Sequence, residues 1–132
     1  MGMLPENTVS EIRRFLEQVV RMDSALFGEV YRASVDSFPT RDATRHLATL
    51  SAADSSWLDK RVADTIRPLL RDREWPSLAV KSSVASLVRG TSRAIVRRDR
   101  LTSEQYDAWM GGFRRVGVRV PPHPSEVDGG GS

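Results

Sequence analysis

Arg89, Arg93, Arg97 and Arg100 recur at three- and four-residue spacing. On a helix they fall on one side, within about 80° of one another. Arg98 lies in the same run, and Arg114 and Arg115 follow one helix later. A guanidinium is a planar fork of donors that stays charged, so a ladder of them suits phosphates or the carboxylates of a partner protein. These seven arginines are the candidate interaction residues. They also carry much of the charge asymmetry: residues 1–66 have a net charge of −2 and residues 67–132 a net charge of +5.

Other chemistry finds little material. Cysteine is absent, which excludes a disulfide framework, a thiol nucleophile and a thiolate metal site. Of the two histidines, His46 follows Asp42 by four residues, a spacing that serves a surface contact, half a metal site or a proton relay. His123 sits among prolines, where no fixed neighbour is expected. There is no His-Glu-x-x-His, no acidic calcium loop and no Gly-x-Ser-x-Gly. Gly90-Thr91-Ser92 lies within a helical pattern and lacks the glycine-rich loop and lysine of a phosphate cradle. The expectation is a protein that is not an enzyme, with no catalytic residue, metal or cofactor.

Composition bounds the scaffold. A chain of 132 residues, 39% hydrophobic and 28% charged, fits one domain with an ordinary core. No apolar run approaches the length of a membrane span, and the N-terminus lacks the basic-then-apolar pattern of a secretion leader, so a cytoplasmic setting is expected. The basic balance is nearly all arginine, 20 Lys+Arg with only Lys60 and Lys81 as lysines. That bias fits a GC-rich, bacterial type of genome and discounts basicity as a sign of nucleic-acid binding.

The elements that must position these residues are helical. Ile12, Phe15, Leu16, Val19, Met22, Leu26 and Val30 keep the i, i+3/i+4 rhythm of one apolar stripe. Thr8 and Glu11 have capping-box spacing ahead of it, and Asp23-Ser24 offers a break that would make two helices of one. Thr40 can cap a short helix from Arg41 to Leu50, and Ser51 or Asp54 a further one carrying Trp57, Leu58, Val62 and Ile66. Pro68 predicts a kink or a new turn in it. After Trp75-Pro76, a helix from Ser77 to about Arg98 buries Val80, Val84, Leu87, Val88, Thr91, Ala94 and Ile95 and holds the arginine ladder opposite; Val96 falls on the polar side. Thr102 and Gln105 form a second capping box, with Leu101 and Tyr106 as its hydrophobic staple. The last helix carries Trp109, Met110, Phe113 and Val116, with Gly111-Gly112 reading as close packing or as a hinge. No segment alternates with period two and a hairpin turn, and no repeat occurs.

The fold expected is an all-α, compact single-domain bundle of five to six helices over residues 4–119. A flexible Pro/Gly-rich tail or linker is expected over 120–132. The function expected is a non-enzymatic protein–protein interaction domain, an adaptor, regulator or inhibitor. It would dock through an apolar and Arg-rich helix face onto a protein with an acidic or apolar surface. The alternative is a nucleic-acid-binding accessory protein using the basic face of the 77–98 helix. The pair of helices around Asp99-Arg100-Leu101 has the link length of a helix-turn-helix. Its second helix, however, begins with Glu104 and Asp107, which repel phosphate.

Overall fold

The computed structural model describes residues 4–37 and 49–126. Within them the chain forms five α-helices and one 3-10 turn, and no strand. The helices are α1 (Glu6–Arg21), α2 (Ser24–Ser37), α3 (Ala52–Asp72), α4 (Leu78–Val96) and α5 (Ser103–Arg115), with the 3-10 turn over Arg98–Arg100. The short helix expected between Arg41 and Leu50 falls largely outside the described residues, as do Asp42 and His46.

The apolar stripe near the N-terminus is two helices. The chain turns at Met22, whose ψ of 140° is extended, and Asp23 opens α2 by accepting the Ala25 N–H on Oδ1 at 3.3 Å. Arg73, at the end of α3, donates to the Val20 and Met22 carbonyls and so ties down this corner. The expected capping box at Thr8 does not form. Helix α1 begins earlier, at Glu6 behind Pro5, and both Thr8 and Glu11 are already helical. The Glu11 carboxylate is engaged elsewhere, as described below. Pro68 starts no new turn: α3 runs through it to Asp72. Pro68 and Asp64 are both exposed, so the carbonyl that loses its donor lies on the hydrated side.

Helix α4 is the centre of the bundle and packs against all four other helices. Ser77 caps it by accepting the Val80 N–H at 3.2 Å. Small residues make the central position possible. A Cβ on Gly90 would stand 2.4 Å from the Trp109 ring, so the glycine is the slot that seats this tryptophan. From Gly90 to Arg97 no residue is fully exposed, and Val96, out of register with the apolar stripe, packs on the core because neighbours close around this half of the helix. Gly112 serves α5 in the same way: its missing Cβ would meet the Val30 carbonyl at 3.1 Å. Gly111 faces open space, so close packing belongs to the second glycine of the pair.

The start of α5 follows its sequence signals. Thr102 accepts the Gln105 N–H at 3.1 Å while Gln105 accepts the Thr102 N–H at 2.9 Å, and Leu101 and Tyr106 are both buried. Thr102→Ala should destabilise the protein by about 1 kcal/mol on urea unfolding. An unchanged midpoint would show that this cap contributes nothing. The end of α5 is a Schellman motif: Val118 N–H bonds Phe113 C=O and Gly117 N–H bonds Arg114 C=O, both at 3.0 Å. Gly117 supplies the positive φ, 90°, that this stop requires.

Residues 118–126 form a strap over the bundle. Val118 and His123 are buried, and residues 124–126 are helical. Within the range expected as a tail, residues 121 and 123 make hydrogen bonds to the bundle. A polyproline segment costs little to order, and here its carbonyls and one histidine find partners on the bundle.

Candidate interaction surfaces

The seven arginines do not form one ladder. Three are held by carboxylates of the bundle. Arg98 Nη2 donates to both Glu11 carboxylate oxygens at 2.9 and 3.0 Å, and its Nη1 donates to the Ile95 carbonyl at 2.9 Å. Both side chains of this pair are about one-fifth exposed, 19% and 21%, so it joins α1 to the end of α4 in a largely dry setting. Arg93 reaches across to α3, donating to Ser55 Oγ at 2.7 Å and to Asp59 at 3.4 Å. Arg114 donates to Asp107 at 2.6 Å with its guanidinium 5.8 Å from the centre of the Tyr106 ring.

The others differ among themselves. Arg97 is half-buried, and its Nε is enclosed without a hydrogen-bond partner. It borders a cleft of about 360 Å³ with Leu4, Val96, Asp54 and Asp99. Arg100 is exposed beside Asp99, 3.9 Å away in solvent. Arg89 and Arg115 are exposed and make no ion pair among the described residues. A helix at the centre of a bundle has no continuous outer face along its whole length, so regular spacing does not make one ladder. The polar side of its second half is covered by α3 and by the Gly90–Trp109 contact.

What remains open on α4 is the first half. Leu78, Ala79, Lys81, Ser82, Ala85, Ser86 and Arg89 are all exposed, and Leu78, at 77%, is the most exposed large apolar side chain among the described residues. Helix α4 has no Asp or Glu at any position. Trp75 stands at the foot of this strip, packed edge-on to Phe27 at 5.3 Å, in a shallow depression shared with Leu78 and Lys81. Neither the apolar periodicity of α4 nor its arginine spacing marks this strip. The readable signal was a nineteen-residue helix with cations and no carboxylate.

A second surface involves the strap. Gln18 pairs with the backbone of Arg119 in both directions: its Nε2 donates to the Arg119 carbonyl and its Oε1 accepts the Arg119 N–H, each at 2.8 Å. The Tyr106 hydroxyl donates to the Pro121 carbonyl at 2.5 Å. Burial pushes the Tyr106 phenol up to about 12, so the proton needed for that bond is held through neutral pH. His123, expected to lack neighbours, is fixed on both sides. The Ser125 N–H donates to its Nδ1 at 3.1 Å, which makes Nε2 the protonated nitrogen that donates to the Leu101 carbonyl at 2.6 Å. Beside this seam runs a groove of about 470 Å³ between α1 and the strap.

Among the described residues no group of three His, Asp or Glu side chains is placed to hold a metal ion, and no helix is long and apolar enough to cross a membrane. No family model, curated protein or solved structure matches this chain.

Proposed function

We propose that this protein is a non-enzymatic interaction module that docks onto an acidic, partly apolar protein surface through the outer strip of α4 between Leu78 and Arg89. The observation that carries the reading is an exposed leucine on a carboxylate-free helix whose neighbouring positions are small. Each feature has a docking role. Leu78 is an apolar anchor already in water, so its burial by a partner is favourable. Ala79, Ser82, Ala85 and Ser86 let a partner helix approach closely, because interaxial distance follows side-chain size at the contact. Lys81 and Arg89 lie eight residues apart, about 12 Å along the axis, and with no acid on the helix to answer them they favour carboxylates at that separation.

The committed arginines weigh against a phosphate-binding ladder: Arg93, Arg98 and Arg114 each satisfy a carboxylate within the fold. The nucleic-acid reading therefore rests on fewer free cations than the sequence suggests.

Affinity capture followed by titration of the captured protein tests the proposal. Leu78→Asp and Arg89→Glu are surface changes and should leave thermal unfolding within about 0.5 kcal/mol of wild type. Each should weaken partner binding at least about tenfold, as loss of a hot-spot contact does. Arg115→Ala, on α5, should bind normally. Equal loss with Arg115→Ala would show that the strip is not the interface. Salt-sensitive retention of duplex DNA that Arg89→Glu abolishes would replace this reading with the nucleic-acid one.

A further inference from the structure

We propose that the seam between α1 and α5 is a receptor for extended, proline-containing peptide, and that the chain's own segment 119–124 occupies it in cis. This surface is distinct from the α4 strip. Three features support it. First, the seam reads backbone: Gln18 takes both the N–H and the carbonyl of Arg119, and Tyr106 takes the Pro121 carbonyl two residues on. Such contacts accept other sequences that are extended in the same way. Second, the seated sequence is Val120-Pro121-Pro122-His123-Pro124. Proline has no N–H to satisfy and arrives pre-ordered as a polyproline helix, which is why donors beside an aromatic side chain recognise its carbonyls. Third, the segment lies on the outside of the helices: from Arg119 to Pro122 no residue is fully buried, and its one buried anchor is His123 on the Leu101 carbonyl. The groove beside it, between Gln18 and Pro122, leaves room for a longer ligand.

In the wild-type chain the tethered segment competes at millimolar effective concentration, so free peptide is excluded. The test uses the full-length chain with residues 119–124 replaced by a Gly/Ser hexapeptide. The probe is a fluorescein-labelled synthetic peptide of residues 118–126, followed by anisotropy. The replaced chain should keep the helical circular dichroism of wild type and bind the peptide saturably, at least tenfold more tightly than wild type binds it. Adding Gln18→Ala to the replaced chain should weaken that binding at least fivefold, and so should changing Pro121 and Pro122 of the peptide to alanine. Loss of helical structure on replacement would make the segment a structural element and overturn the proposal. A folded replaced chain that binds no peptide, or binds it equally well with Gln18→Ala, would overturn it too.

Discussion

Phe15→Ala should lower the unfolding free energy by about 3–5 kcal/mol, read as a fall in the urea midpoint at unchanged slope. Phe15 is 1% exposed and meets Phe113 edge-to-face, with centroids 5.2 Å apart. Phe113 in turn meets Phe27 at 6.4 Å and 88°. The three rings lock α1, α5 and α2 together at one point. Truncating Phe15 removes its buried area, a ring contact worth about 0.5–1.5 kcal/mol, and the dispersion partners of the surrounding side chains. The gap cannot close cheaply, because its walls belong to three different helices. Domains of this size are stable by about 5–15 kcal/mol, so the variant would have lost a large share of its margin. A loss below about 1 kcal/mol would place Phe15 outside the core.

Gly90→Ala should also destabilise, although alanine is the better helix former. Propensity alone favours the change by about 1 kcal/mol. Against it stands a Cβ placed 2.4 Å from one Trp109 ring carbon and 3.1 Å from a second. An indole is rigid and this one packs on the core, so the ring or the helix must move, at an overpacking cost of about 1–3 kcal/mol. The steric effect wins, and the expected net loss is up to about 2 kcal/mol, with tryptophan emission shifted to the red as Trp109 is pushed toward water. Gly111→Ala is the matched control. Its Cβ would meet nothing within 4 Å, so propensity acts alone and the change should be neutral or stabilising. Stabilisation of the Gly90 variant would mean that the slot does not exist.

Local signals in the sequence were most dependable where a single turn of chain satisfies its own groups. The Thr102–Gln105 box depends on atoms three residues apart and forms as its spacing predicts, and the helix expected from Ser77 starts one residue later with Ser77 as its cap. The Thr8–Glu11 box failed for a reason outside the local segment. Arg98, eighty-seven positions away, takes the Glu11 carboxylate, and Pro5 lets the helix begin earlier. Gly117 followed by Val118 had the residue types of a Schellman stop, but the pattern reads as a brief alternation until α5 is seen to end there. His123 had no neighbours in sequence terms because its partners are Leu101 and Ser125, one of them across the fold.

Periodicity and capping by themselves determined an all-helical chain, the apolar face of each helix and the position of the arginines along α4. These follow from hydrogen bonding and side-chain spacing within a few turns, which is information a linear sequence carries directly. Which arginines are free was decided only by tertiary structure. A cation's fate depends on which carboxylate lies across the interface, and Asp59 and Glu11 claim Arg93 and Arg98 from other helices. The same holds for the strip that remains. A helix partly covered on its polar side in its second half and open in its first presents Leu78 and Arg89 to solvent, while Arg97 is drawn inward. Burial is a property of how helices pack around one another, and nothing within one helix states it.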